Sequence, residues 1–399
     1  ISMLVGVVGK PNCGKSTFFK ASTLSDIEIA NYPFATIDPN EGVAFVKVAC
    51  ADTFFDTTCD PRTGRCIDGK RFVPIKMIDV AGLVPGAHEG KGMGLSFLDD
   101  LNQADVLIHV IDLSGGTNGK GEPVKKGTYD PGKDITFLET ELDQWYLSIL
   151  EKTWEKFSRS VDQTKKDKAD ALHEQFTGLG ATEGIVKDVL DETGLVEKGL
   201  MKWSDDEKLA FCSSLRSYTK PMVIAANKAD VPGALDTLER LREEFPEYSI
   251  IPMSAASELA LREAEKKDKI SYLPGDSSFT IEKDLSDEQK KGLHFVQETV
   301  IDELEGTGVQ TVIDTAVKEE LGLIPIFPGG ANKLEDKDGN TLPDCFLMPK
   351  GSTVLDFAYR IHSDLGENFV TAIDVKKKQN VKKDHELSAG DVIEIKANV

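Results

Sequence analysis

Apolar residues along this chain fall into two textures, short continuous runs and helical stripes. Residues 4–8, 106–113, 222–226 and 250–253 are continuous apolar runs, the pattern of strands buried on both faces. Residues 15–22 read as a helix, and 43–48 with 72–78 as paired strands around an insertion. Strands alternating with helical segments predict a parallel sheet flanked by helices. A Gly- and Lys-rich loop at 115–132 then opens an interruption of the pattern. From 135 to 168 the chain turns charged and helical, and Leu138, Leu142, Trp145, Leu147 and Leu150 form one apolar stripe. Helices are expected again at 187–191 and 205–218. Beyond 321, Pro325, Pro328, Gly329, Gly330, Gly339 and Pro343 punctuate short strands. A single helix is expected at 354–365, with strands at 370–375 and 392–396. The resulting division is an α/β domain in two pieces, 3–114 and 219–320, an inserted helical subdomain at 115–218, and a small β-rich domain at 321–399.

Composition narrows this picture without changing it. At 399 residues, 40% hydrophobic and 29% charged, the chain is long and apolar enough for two or three folded domains. It contains no apolar run of membrane-spanning length, so no membrane partner is expected. A basic, apolar and cleavable leader is not evident either, and the expectation is a cytoplasmic location. The formal net charge of −21 disfavours uniform attraction to nucleic acid or anionic lipid. A local exception is the run containing Lys376, Lys377, Lys378, Lys382 and Lys383, a candidate contact for RNA phosphates. Cys50, Cys59 and Cys66 lie near one another but lack the tight spacing of a zinc cluster. Ordinary reduced thiols in a β-hairpin extension are expected there, with a contribution to a zinc site as the alternative.

Four motifs carry chemistry. Gly9-Lys-Pro-Asn-Cys-Gly-Lys-Ser16 matches G-x₄-G-K-[ST] between an apolar run and a helix, the context that identifies a phosphate-binding loop. Gly9 and Gly14 allow the backbone to fold closely, and amides from Cys13 to Thr17 can face the phosphates at a helix N-terminus. Lys15 would pair with the β- and γ-phosphates, and the Ser16 hydroxyl would ligate Mg²⁺. Asp79-Val-Ala-Gly82 closes a strand, so Asp79 could hold Mg²⁺ through water and the Gly82 amide could contact the γ-phosphate. Thr36, in the intervening loop, offers a second hydroxyl to the metal. Asn227-Lys228-Ala-Asp230 follows another strand. The Asp230 carboxylate can accept both guanine N1–H and the 2-amino group, donors that adenine lacks. Ser254, Ala255 and Ala256 follow the next strand and would offer amides near guanine O6.

Together with Asn31-Tyr-Pro-Phe-Ala-Thr36 and the run from Asp79 through His88 to Gly94, these motifs resemble the Obg-related P-loop GTPase superfamily on its YchF side. The resemblance spans almost the whole chain. It implies a P-loop GTPase fold with a parallel-type sheet, a helical insertion and a C-terminal β-grasp-like TGS domain. It also implies GTP as ligand and a role linked to translation, the ribosome or RNA. Many YchF proteins carry a degenerate base-recognition motif and prefer ATP. The intact Asn227-Lys228-x-Asp230 is similar instead to archaeal and fungal relatives that keep it, and favours GTP.

Hydrolysis is expected to be slow, because Leu83 follows Gly82 where Ras-like proteins hold a water-orienting Gln. Asn12 stands where potassium-activated relatives coordinate K⁺, which could supply the missing positive charge; alternatively it stabilises the loop. His88 could approach the γ-phosphate or remain an exposed loop residue. Three functional readings stay open at this point. They are a slow GTPase switch, an ATPase of the commoner YchF kind, and a nucleotide-dependent binding module with incidental hydrolysis.

Overall fold

The computed structural model describes residues 3–23, 40–80 and 100–398. Thr36, Gly82, Leu83 and His88 lie outside the described residues. Two compact units are present: residues 1–21 with 77–312, and residues 22–76 with 313–399.

The first unit is built on a sheet. Strand β1 (Leu4–Val8) pairs in parallel with β5 (Val106–Asp112), β5 with β6 (Met222–Asn227), and β6 with β7 (Ile250–Pro252). Every residue of β1, β5 and β6 is buried, which explains why these strands read as unbroken apolar runs. Helix α1 (Lys15–Thr23) follows β1 directly. The inserted block forms α2 (Gly132–Glu151), α3 (Trp154–Thr164), α4 (Lys168–Phe176), α5 (Glu183–Glu192) and α6 (Asp205–Thr219). The long helix expected over 135–168 is therefore broken twice, after Glu151 and again at Lys165, whose left-handed φ of 53° ends α3. Helix α6 starts on a capping box in which Ser204 accepts from the Glu207 amide and Glu207 accepts from the Ser204 amide.

Leu138, Leu142, Trp145 and Leu150 of the apolar stripe are buried in the same cluster as Phe176, Phe211, Leu107 and Ile224. The insertion thus shares one core with the sheet. Helices α7 (Ala234–Glu244) and α8 (Ala255–Lys266) follow β6 and β7, respectively, in the chain. Among the described residues, no helix is long and apolar enough to cross a membrane.

The second unit joins β2 (Glu41–Ala49), β3 (Arg65–Ile67) and most of β4 (Lys70–Asp79) to the C-terminal segment. Cys66 of β3 lies opposite Arg71 of β4, and Asp68 and Gly69, with φ of 49° and 73°, make the tight turn between them. The C-terminal sheet contains β8 (Leu323–Pro328), β9 (Phe346–Pro349), β10 (Phe369–Asp374), β11 (Gln379–Val381) and β12 (Val392–Ala397). Its strand order is β9-β8-β12-β10-β11. Instead of one helix at 354–365 there are two, Val354–Ile361 and Ser363–Glu367. His362 separates them in an extended conformation and accepts from the Asp364 amide, capping the second.

Compact packing divides the chain differently from the sequence boundaries. Residues 22–76 group with the C-terminal sheet, while 115–218 remain with the nucleotide-motif sheet. The physical reason is the shared apolar core of the insertion on one side and, on the other, a cluster joining Cys50 and Cys59 to Phe327, Leu342 and Val392.

Candidate nucleotide site

β1 delivers the phosphate-loop motif to the C-terminal end of the sheet. A side chain at Gly9 would place its Cβ 2.7 Å from the Val110 carbonyl, and one at Gly14 would sit 2.0 Å from Asn227 Nδ2. Gly14 also has φ of 98°, a region that disfavours other residues. Both motif glycines are therefore required by close approach. The Phe18 amide donates to Gly14 O at 2.9 Å, starting α1 immediately after the loop. No acidic residue occupies the first turn of α1, so nothing there opposes an anion at its positive end. Ser16 is exposed in that turn, with Thr17 beside it. Cys13 is fully buried, and burial pushes its thiol up to about 11; it contributes backbone, not nucleophilic sulfur.

Lys15 Nζ donates to Asp79 Oδ1. The structure thus brings Lys15 and Asp79, the ammonium expected at the phosphates and the carboxylate expected at the metal, together at the ends of β4 and α1. The oxygen donors Ser16 and Asp79 are hard ligands that suit Mg²⁺.

Asn227 is buried and bridges two loops. Its Nδ2 donates to Cys13 O at 3.0 Å, and its Oδ1 accepts from the Ala255 amide at 3.0 Å. Ser254 caps α8 by accepting from the Ser257 amide, while Ala256 is exposed in the first turn. Lys228 reaches the other way, to Asn12 O at 3.0 Å and to Asp112 Oδ2 at 2.9 Å. Asp230, two residues on, is half-buried.

Asp112 is a site residue that sequence reasoning missed. It is fully buried and accepts from the hydroxyls of Ser114 and Thr117 as well as from Lys228. Burial raises its carboxyl, but the Ser114, Lys228 and Thr117 donors outweigh that, and it lies below its ordinary value. A carboxylate ending an otherwise apolar strand was the available signal. Lys10 was missed as well. Its ammonium pairs with Asp134 Oδ2 at 2.7 Å, donates to Thr117 O at 3.0 Å and sits 4.1 Å from the centre of the Tyr129 ring. Tyr129 in turn donates to Asp134 Oδ1.

These contacts give the Gly- and Lys-rich segment a role. It is ordered by its own backbone bonds, such as Val124 N to Gly116 O and Gly127 N to Ser114 O, both 2.9 Å. Asn12 Nδ2 donates to Gly121 O at 2.8 Å, so the loop-stabilising use of Asn12 is present. Residues 112–134 therefore buttress the phosphate loop.

Comparison with known proteins bears on this arrangement. Residues 4–145 match the family described as 50S ribosome-binding GTPase. Residues 225–329 match the Obg-like GTPase YGR210-like, G4 motif-containing domain, and residues 337–397 match the TGS domain. A GTP-binding protein of Methanocaldococcus jannaschii is 44% identical over 98% of both chains. The crystal structure of a GTP-binding protein from Pyrococcus horikoshii superposes with a TM-score of 0.79 at 38% identity, covering 99% of this chain and 100% of that one. The ribosome-binding ATPase YchF of Haemophilus ducreyi is 32% identical over 67% of this chain and 69% of its own.

Proposed function

Since the chain belongs to the Obg-like P-loop GTPases with YchF-type relatives, we propose that it selects GTP over ATP and hydrolyses it slowly, as a switch acting on the ribosome or another RNA. The observation that carries the reading is the double tie of Asn227 to Cys13 O and the Ala255 amide. That tie fixes the phosphate loop, the base-recognition motif and the following loop as one unit. Asp230 is then positioned by a rigid strand end, where its carboxylate can accept the two donors peculiar to guanine. An adenine in the same place would leave the carboxylate unpaired, at about 1–3 kcal/mol. Relatives named as ATPases make the nucleotide preference the decisive property.

Lys15 supplies the charge for the β- and γ-phosphates after exchanging Asp79 for them. Ser16 and Asp79, with Thr36 as a further hydroxyl, would hold Mg²⁺, which would supply positive charge against the developing phosphate charge. Amides of the α1 N-terminus orient the phosphates, and the buttress 112–134 keeps them in register. Asn12 would meet a monovalent cation through its amide oxygen while its Nδ2 stays on Gly121 O, so potassium activation is compatible with the loop contact. His88, which lies outside the described residues, is proposed to swing towards the γ-phosphate. The name ribosome-binding ATPase borne by a relative supports the ribosome as partner, as does the lysine-bearing β10–β11 hairpin.

Single-turnover GTP hydrolysis, measured in K⁺ and in Na⁺ at constant ionic strength, with and without ribosomes, tests this reading. Acceleration by K⁺ and by ribosomes is expected. Equal rates in all four conditions would leave a binding module with incidental hydrolysis.

A further inference from the structure

The second unit gathers the three neighbouring cysteines that the nucleotide chemistry does not use. Cys50 ends the stretch after β2, Cys59 lies in the following loop, and Cys66 stands on β3. The Asp68-Gly69 turn folds β3 back along β4, and the three thiols converge with Asp52 of the intervening 3₁₀ turn Ala51–Phe55. One ligand atom from each of Cys50, Asp52, Cys59 and Cys66 lies within 4.8 Å of all the others. We infer that these four residues form a structural zinc site.

The spacing fits a tetrahedron. With Zn–S about 2.3 Å and Zn–O about 2.1 Å, the edges of a tetrahedral site are roughly 3.8 Å between sulfurs and 3.6 Å between sulfur and oxygen. Cys50 Sγ and Cys59 Sγ are 3.6 Å apart, and Cys66 Sγ is 3.5 Å from Asp52 Oδ2. A disulfide needs about 2.05 Å, and all six cysteines are free thiols.

Asp52 provides a second, independent pointer. Its side chain is buried, 4% exposed, and Oδ1 has no hydrogen-bond partner among the described residues. A buried carboxylate with one oxygen left bare is costly, whereas a cation bound beside it at the centre of the cluster compensates its charge. Soft thiolates in a tetrahedral, closed arrangement select zinc over the hard cations. Binding releases the three thiol protons to solvent. Four anionic ligands against a dication leave two negative charges, and a buried guanidinium offsets one of them. Arg71, 1% exposed, donates to Cys59 Sγ at 3.4 Å and to the carbonyls of Leu342 and Pro343 at 3.0 and 2.7 Å. The metal would thereby brace the hairpin extension against residues 342–343. The apolar cluster there is small, with Phe327, Leu342, Val375 and Val392 beside the cysteines, and a metal is a common staple for such a core. Cys345 packs against the same cluster but is not among the four mutually close ligands.

The test uses the full chain, reduced and purified without chelator. Elemental analysis is expected to give one zinc per chain. After stripping, Co²⁺ titration should produce the charge-transfer and d–d bands of tetrahedral cobalt thiolate. Cys59→Ser and Asp52→Asn should each weaken metal affinity by at least about tenfold, while Cys345→Ser leaves it unchanged. Retained GTP binding controls for folding of the variants, and the unmutated chain's cobalt spectrum stands without them. A reduced, folded protein that gives no thiolate bands overturns the site. Loss of metal in Cys345→Ser with none in Asp52→Asn overturns the ligand set.

Discussion

Replacing Asn227 with Ala should uncouple the phosphate loop from the base-recognition loop. The side chain is 4% exposed and makes two 3.0 Å bonds to main chain, one donated to Cys13 O and one accepted from the Ala255 amide. Truncation leaves a buried amide at the start of α8 without its acceptor, at about 1–3 kcal/mol, and a carbonyl without its donor at rather less. The missing amide group also opens space against Gly14, where an added Cβ would lie 2.0 Å from Asn227 Nδ2. A stability loss of about 2–4 kcal/mol is expected by urea unfolding. GTP affinity should fall by at least about tenfold, equivalent to 1.4 kcal/mol, because the loop that presents the phosphate amides loses its tie. Fluorescent GDP titration reads the second effect separately from the first. A loss under about 0.5 kcal/mol with unchanged affinity would refute the reasoning.

Two further outcomes follow from other parts of the molecule. His109 on β5 is fully buried, its Nδ1 is without a partner among the described residues, and burial with the nearby Lys10 charge pushes it down to about 3. The unfolded imidazole takes its proton near pH 6.5, so His109 contributes stability that is fully present above that pH. It is lost at up to about 1.4 kcal/mol per unit as pH falls towards 3. His109→Leu should flatten the acid limb of a stability–pH curve between pH 6 and 4, and an unchanged slope would contradict the burial argument. In the β10–β11 hairpin, Lys377 is paired with Asp374 at 2.8 Å and Lys376 lies 5.1 Å from the Phe54 ring centre. Lys378, Lys382 and Lys383 are exposed, so reversing those three to Glu should weaken ribosome or RNA association and lower its salt dependence. An unchanged salt slope would exclude the hairpin as a phosphate contact.

Much of the nucleotide site was legible because its physics is local in sequence. Continuous apolar runs marked β1, β5 and β6, whose residues are all buried, and Gly9, Gly14, Lys15 and Asp79 follow from the motif alone. The buttress at 112–134 was not legible. Its order comes from backbone bonds and from Lys10, Asp134 and Tyr129 meeting across more than a hundred residues, and its Gly- and Lys-rich composition has no periodicity to read. The break after α3 was hidden because a lysine, not a glycine, takes the left-handed position. The proximity of Cys50, Cys59 and Cys66 was visible, but their loose spacing favoured ordinary thiols, since the hairpin turn rather than a short C-x₂₋₄-C pair brings the sulfurs together. The Asp-Gly turn between Cys66 and Arg71 was the further signal that folds β3 back and brings Cys66 to the others.

The central claim is guanine selectivity through Asp230, and competition binding tests it most directly. GTP, ATP and XTP should be set against fluorescent GDP for the unmutated chain and for Asp230→Asn. GTP is expected to displace the probe at concentrations about ten- to a hundredfold lower than ATP, and Asp230→Asn should move the preference to XTP. Equal ATP and GTP affinities in the unmutated chain would contradict the account.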